Sequence, residues 1–309
     1  MTVPVVRPEA ITEALGLADP VGELQPLTYS SSQTWTLDTT DGRVLLKHLP
    51  IAQPATMIFE SKARAAAIDM PTPVGHPAHV DGIGLTRAYA WIDGRPVGES
   101  DDIAAWLGET LARLHAVETT GPAGPDWYHL HDERWHTWLH AAQRTWTPAL
   151  REHLPDILAA TAWVARAFDD TTDHVTTHRD IEIHNIMITA TGPVLIDWDS
   201  AGPDSAGLET AHAAYSLATH HRPGPDRATI RRALDAYAAN GGTRPTGPDI
   251  LARRAGIRLG RLAERLRMSL GEEPTGPRDL TEIDARAQAQ IRSIPSFTTD
   301  LVRHADLYG

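Results

Sequence analysis

The chain contains no cysteine, and its 28 basic residues include only two lysines, Lys47 and Lys62. The first absence excludes disulfides, thiolate nucleophiles and cysteine-ligated metals, and it agrees with a reducing compartment. The second makes each retained lysine worth inspection, because arginine supplies positive charge almost everywhere else. Long apolar runs are also missing: no stretch approaches the roughly 20 residues that a membrane-spanning helix needs. The first residues hold neither a basic segment nor the apolar core of a secretory leader. A cytoplasmic protein with no membrane partner is the expectation. Positive charge is itself in deficit, with a formal net charge of −12. To residue 95 there are 10 acidic and 7 basic residues, and beyond it 30 and 21. Such a field opposes nucleic acid and anionic lipid. It suits a cationic substrate, although an acidic balance also serves solubility alone.

What is present is ordinary in bulk and specific in one place. The 309 residues, 41% hydrophobic and 22% charged, suffice for two packed lobes. Residues 177–202 read THRDIEIHNIMITATGPVLIDWDSAG. Here His178-Arg179-Asp180 is followed by Asn185 five residues after the aspartate and by Asp197 twelve residues after that. Phosphoryl transfer needs one carboxylate to accept a hydroxyl proton and further oxygen ligands to hold magnesium on the nucleotide phosphates. Asp180 fits the first role, and Asn185 and Asp197 fit the second. IMITA and PVLIDW are short β-rich runs on either side of Thr191-Gly192, which predicts a hairpin bringing Asn185 and Asp197 together. Each of the three alone is ordinary turn chemistry; together at this spacing they form a kinase catalytic loop.

Upstream, period-two patterning from Trp35 to Leu49 predicts two strands around Asp41-Gly42, with Lys47 in the second. The small polar residues before them include Ser31 and Ser32. ATMIFESKARAAAI reads as a helix carrying Glu60, stopped at Met70-Pro71-Thr72-Pro73. A strand lysine and a helical glutamate are the pair that orients lysine toward nucleotide phosphates; taken alone, both residue types are ordinary solvated surface. A further strand from Gly84 to Ile92 offers the backbone of Ala88, Tyr89 and Ala90 to a purine. Asp93-Gly94-Arg95-Pro96 then breaks the pattern, which divides the chain into lobes 1–95 and 96–309. The second reads as helical. One helix is capped by Ser100, two more lie between residues 127 and 168, and others cover 204–219, 225–239, 247–270 and 279–294. His136 and His140 have metal-compatible spacing, but no HExxH pattern accompanies them, and Trp135 and Trp138 point to packing.

With these residues placed, the chain resembles the aminoglycoside phosphotransferase family, within the wider protein-kinase-like fold. The likeness rests on the lysine strand, HRDIEIHN, LIDWD and the GETLARLHAVE helix. It implies an α+β bilobal fold, with a small antiparallel-sheet lobe carrying one helix and a larger, mainly helical lobe. It also implies ATP or GTP as donor, with Ser31 and Ser32 over the phosphates, Lys47 on the α and β oxygens, Mg2+ on Asn185 and Asp197, and Asp180 orienting the acceptor hydroxyl. A tryptophan stands where a protein kinase has the phenylalanine of DFG, and no APE-like segment follows, which favours a small-molecule acceptor. Most family members have glycine at the position of Arg179, and Glu182 and His184 also depart from the commoner residues. Arg179 holds an anionic segment or pairs with a neighbouring carboxylate.

Glu182, Asp199, Asp204 and Glu209 stand where they would hold the cationic groups of an antibiotic; the alternative is that Asp199 and Asp204 are loop and helix-start residues. Three functions stay open. The leading one is a kinase acting on an antibiotic hydroxyl, as a monomer or homodimer; the second is a housekeeping kinase for a sugar, amino alcohol or amino acid. The third is a non-catalytic nucleotide-binding module, against which the complete set of Lys47, Asp180, Asn185 and Asp197 counts.

Overall fold

The computed structural model describes residues 6–27, 33–141, 143–276 and 278–309. In chain order the elements to the end of the first unit's main sheet are α1 (Pro8–Leu15), β1 (Gln25–Pro26), β2 (Thr34–Thr39), β3 (Gly42–His48), α2 (Pro54–Ala65), β4 (Pro73–Val80) and β5 (Gly84–Ala90). Then come β6 (Gly94–Pro96), α3 (Ala104–His115), α4 (Asp132–Ala141), α5 (Thr147–Asp169), β7 (His174–Thr177), β8 (Ile186–Thr189) and β9 (Gly192–Leu195). The remainder is β10 (Gly202–Ser205), α6 (Ala206–Thr219), α7 (Arg227–Ala239), α8 (Ala252–Leu270) and α9 (Leu280–His304). The chain divides into two compact units, residues 1–98 with 184–200, and residues 99–183 with 201–309.

In the first unit an antiparallel sheet runs in the order β1-β2-β3-β5-β4. The β2–β3 turn closes between Thr39 and Gly42, whose φ of +123° is open to glycine without strain. One face of the sheet buries Trp35, Leu37, Leu46 and Ala88 against Ile11 and Leu15 of α1. A second sheet, β6-β8-β9, pairs Gly94–Pro96 with Met187–Thr189. This pairing explains why the first unit is not the simple segment 1–95. β6 presents a strand edge, and the downstream hairpin β8–β9 satisfies it, so residues 184–200 join the first unit.

The second unit is helical apart from the two-stranded β10–β7 ladder. Helices α5, α8 and α9 pack together, and α3 lies against α7. The closest approach is at Gly108, where a Cβ would stand 2.1 Å from the Ala233 carbonyl oxygen and 2.7 Å from the Tyr237 nitrogen. Trp135, Trp138 and Trp146 are fully buried, and the first two meet edge to face with ring centroids 5.1 Å apart. Trp135 and Trp138 thus carry the packing of α4, while His136 and His140 are exposed.

The fold is α+β, a sheet-rich N-terminal unit and a mainly helical C-terminal one, with local departures from the sequence reading. The first unit carries α1 as well as α2, rather than one helix. α3 begins at Ala104, after an N-cap at Ile103, instead of just after Ser100. β4 was hidden by its two prolines and its glycine, and its register shifts between Val74 and Ala78. α9 continues through Pro295 to His304. The buried residues Ile291, Ile294 and Leu301 lie on both sides of the proline and sustain the helix across the missing amide bond. Among the described residues no helix is long and apolar enough to cross a membrane.

Gly108→Ala is expected to destabilise the protein by about 3 kcal/mol, the upper end of the overpacking range, because backbone sits where the methyl would go. An unchanged thermal unfolding midpoint would show that α3 and α7 do not approach this closely.

Candidate active site

Alternation along β3 turns Lys47 inward, where it is 6% exposed. Its ammonium lies 2.6 Å from Asp197 Oδ1 and 2.7 Å from Asp199 Oδ2. Burial opposes the charge, but the two carboxylates outweigh it and raise the lysine's proton affinity, so Lys47 is a fixed cation. Asp197 follows β9. The ladder pairs Ile186 with Leu195, and the Ile196 amide donates to the Asn185 carbonyl at 2.8 Å. The predicted hairpin therefore forms and places Asn185 and Asp197 at its same open end. Asp197 has a φ of +64°, a left-handed conformation that is uncommon for a non-glycine residue and clusters at functional positions. Trp198 fixes the turn after it: its indole N–H donates to the Leu195 carbonyl at 3.0 Å, and its ring packs beside Phe59 of α2.

These residues border a cavity of about 210 Å³ whose apolar walls include Leu45, Met187 and Ile196, with Lys47 and Asp197 at its polar side. Tyr89 and Ala90 line it, as do Trp91 and Ile92. Ala88 does not: it is fully buried in the sheet between Leu46 and Val74. The Ala90 amide is already bonded to the Thr72 carbonyl at 2.8 Å. Ser31 and Ser32 lie outside the described residues.

The Lys47–Glu60 pairing expected from sequence is not what the structure holds. Glu60, 1% exposed, accepts from both Nη atoms of Arg87, at 2.8 and 2.5 Å, and from the Tyr89 hydroxyl at 3.3 Å. Arg87 is the cross-strand neighbour of Lys47 in the β3–β5 ladder. Its fork satisfies both carboxylate oxygens at once, which a lysine cannot do. The signal available in the sequence was an arginine set inside an otherwise apolar strand, TRAYA.

In the second unit the His178-Arg179-Asp180 turn follows β7. Arg179 has a φ of +67°, which accounts for glycine being the commoner residue there in the resembling family. Its backbone is held from both sides. The Arg179 amide donates to Glu209 Oε1 at 2.7 Å, and Arg253 of α8 donates to the Arg179 carbonyl at 2.5 Å. Its guanidinium packs over Gly202, where a Cβ would stand 2.4 Å from Nη1. The Asp180 amide donates to His178 Nδ1 at 3.3 Å, with His178 fully buried.

All four carboxylates expected to bind a cationic acceptor are engaged by internal partners. Glu209 is fully buried and takes bonds from the Thr177 hydroxyl and from His115 Nε2, which is 2.9 Å away. Asp204 is fully buried between Arg253, at 3.1 Å, the Tyr128 hydroxyl, at 2.8 Å, and the Ser205 amide. Burial pushes the Asp204 carboxyl up, and the Arg253 guanidinium pulls it back. Glu182 binds His212 at 2.9 Å and the Ser216 hydroxyl, and Asp199 binds Lys47. Asp204 and Glu209 thus serve as braces for the His178-Arg179-Asp180 turn and present no open face to a ligand. The motifs around the turn gave no sign of His115, Tyr128 or Arg253, which arrive from 49 to 94 residues away.

Residues 23–245 match the profile of the phosphotransferase enzyme family, abbreviated APH. The chain belongs to that family. Solved structures agree on the fold. Spectinomycin phosphotransferase, in complex with ADP and spectinomycin, superposes with a TM-score of 0.70 at 11% identity over 97% of each chain. The amicoumacin kinase hAmiN, in complex with AMP-PNP, Ca2+ and Ami, has a TM-score of 0.62 at 14% identity, covering 91% of this chain and 90% of that one. A choline/ethanolamine kinase family protein from Mesorhizobium loti has a TM-score of 0.57 at 15% identity, covering 93% and 92%. At such identities the likeness establishes the protein-kinase-like fold alone. No curated protein sequence matches the chain.

The Glu209 brace of this phosphotransferase predicts a specific acid sensitivity. Burial alone would push the carboxyl up, but the bonds from His115 and Thr177 and the Arg253 charge hold it at about 2, against an ordinary value of 4.5. A depressed carboxylate contributes stability that is complete above pH 4.5 and is lost as pH falls toward 2. Glu209→Gln is expected to cost on the order of 3 kcal/mol at neutral pH. The gap between wild type and variant in denaturant unfolding should close between pH 4.5 and 2. A pH-independent gap would remove Glu209 from this role.

Proposed function

We propose that the protein transfers the γ-phosphate of ATP or GTP to a hydroxyl group of a small molecule. The observation that carries this reading is the Lys47 ammonium held within 2.7 Å of both Asp197 and Asp199 at the wall of the 210 Å³ cavity. That is a phosphate-binding cation beside two oxygen ligands, at an apolar slot of the kind that takes a purine. Asp180, Asn185, Lys47 and Asp197 make up the complete set for phosphoryl transfer, which counts against a non-catalytic module. A cytoplasmic setting, where both nucleotides are abundant, is consistent with the absence of cysteine.

The donor set around Asp197 fits magnesium: its atoms are hard oxygens, from Asn185, Asp197 and Asp199, and Mg2+ favours one or two carboxylates completed by substrate phosphates. When bound, the ion would neutralise charge on the β and γ phosphates. The chain's own residues do the rest. Lys47 binds the α and β oxygens, and the cavity walls orient the base. Asp180 accepts the acceptor's hydroxyl proton as the new O–P bond forms and the bond from the γ-phosphorus to the leaving oxygen of the diphosphate breaks. Positioning and charge stabilisation each contribute several kcal/mol, on the order of the general figures for those effects. Proton transfer contributes less, about 10²- to 10⁴-fold.

Between the two acceptor classes, the structure favours a metabolite over a cationic antibiotic. Of the features that pointed to a cationic antibiotic, the four carboxylates are each engaged internally, which supports a metabolite acceptor; the net charge and the family resemblance are compatible with either class. Antibiotic substrates remain a property of spectinomycin phosphotransferase and its like.

Asp180→Asn is expected to abolish turnover while nucleotide affinity stays within about threefold, since an amide can hold the loop but cannot take the proton. Turnover within a few-fold of wild type, measured by ADP release with a working acceptor, would refute the base assignment. Asp197→Ala is expected to remove the magnesium-dependent part of nucleotide affinity as well as the rate. Calorimetric titration with and without Mg2+ reads this, and equal affinities in wild type and variant would exclude Asp197 as a ligand.

A further inference from the structure

The second unit contains a cavity of about 520 Å³ that begins at Glu182, two residues past Asp180, and runs between α8 and α9. Arg254, Arg258, Arg261 and Arg265 stand at i, i+4, i+7 and i+11 on α8, which makes them one stripe of the helix, and all four line this cavity. Arg286 of α9 faces it from the other side. In a chain with a net charge of −12, this is a concentrated patch of the opposite sign.

The protein offsets the stripe only in part, through the more distant charges of Glu182 on Arg254 and Glu264 on Arg265. Among the described residues, none of the four α8 arginines has a carboxylate at ion-pair distance, whereas Arg286 is held by Glu282 at 2.5 Å. Their contacts are neutral. Arg258 donates to the Ser293 hydroxyl at 2.5 Å and stacks on Phe297 at 4.3 Å; Arg265 bonds the Gln290 amide oxygen; Arg254 stacks on Tyr215 at 4.8 Å. These neighbours orient the guanidinium groups without cancelling their charge. Several polar atoms are left over. Nε and Nη1 of Arg254, Nε of Arg258 and Nδ1 of His212 are buried with no hydrogen-bond partner among the described residues. His212 lines the same cavity and is 1% exposed. Burial, and then the charges of Arg265, Arg254 and Arg261, weaken the hold of Arg258 on its proton, the signature of a site short of negative charge. Unsatisfied buried donors and clustered like charges are costly unless a ligand relieves them.

We propose that this cavity binds a phosphate group carried by the acceptor, so that the hydroxyl compound phosphorylated here is already a phosphate monoester. This rests on the phosphotransferase reading above and specifies its substrate class. Phosphate is favoured over a single carboxylate for two reasons. It carries about −1.5 to −2 charges at neutral pH, closer to what four guanidinium groups without an ion-pair partner require. It also offers three oxygens to planar forks that bond in pairs.

The test begins with binding. Inorganic phosphate is titrated calorimetrically into the full-length protein with AMP-PNP saturating, so that the α, β and γ phosphate positions of the nucleotide site are already filled. Phosphate should bind, and acetate should bind at least tenfold more weakly. Arg258→Gln should weaken phosphate at least tenfold. Arg261→Gln, at an exposed position that leaves the helix packing intact, should weaken it about threefold. No phosphate binding, equal binding by wild type and both variants, or acetate as tight as phosphate would overturn the assignment.

Turnover separates this inference from the reading beneath it. Paired panels of hydroxyl compounds, each with and without an existing phosphate, are incubated with Mg-ATP beside an Asp180→Asn control. Higher kcat/KM for the phosphorylated members supports the proposal. Higher kcat/KM for the unphosphorylated members overturns it and leaves the phosphotransferase reading standing. Arginine-dependent phosphate binding with no ATP consumption on any compound would support the anion site and instead refute the catalytic reading.

Discussion

The second unit is organised around a carboxylate that has no access to water. Glu209 on α6 is fully buried, and a buried anion is tolerable only when its oxygens are all bonded. It gathers those bonds from the Thr177 hydroxyl at the end of β7, His115 at the end of α3 and the amide of Arg179. Arg253 continues the lattice from α8 to the Asp204 carboxylate and to the carbonyl of Arg179. The left-handed backbone of Arg179 costs roughly 1–2 kcal/mol by itself, and bonds to both its amide and its carbonyl offset that cost. The rigidity of the turn that presents Asp180 is therefore inherited from helices remote in sequence.

The first unit handles a related problem by dividing its charges. The β3–β5 register sets Lys47 and Arg87 side by side, and like charges directly across a ladder repel. Each cation has its own acidic partners. Arg87 takes Glu60 through a two-pronged bond in the interior, and Lys47 reaches the half-exposed Asp197 and Asp199 at the cavity wall. The first pair is sealed and structural. The second leaves its carboxylates partly exposed.

Global and local charge point in opposite directions in this molecule. A net charge of −12 suggests a cationic ligand, yet the acidic residues nearest the His178-Arg179-Asp180 turn are engaged inside the protein, and the arginines of α8 gather in a cavity. Net charge is a property of the whole surface and its solubility. A ligand experiences only the groups facing it.

The hairpin that brings Asn185 and Asp197 to one end, the sheet-then-helix order and the place of Lys47 in the second strand of its hairpin were legible in the linear sequence, because they depend on spacing, turn residues and local periodicity. These are short-range properties that a chain carries before it folds. Other features became visible only in the tertiary structure: the partner of Lys47, the role of Arg87, the capture of residues 184–200 by β6, and the burial of Asp204 and Glu209. Each of them depends on which strand edge or helix face meets which. A carboxylate four residues past a loop and one at the centre of a polar lattice look alike as letters, and what separates them is the set of groups, distant in sequence, that folding brings within 3 Å.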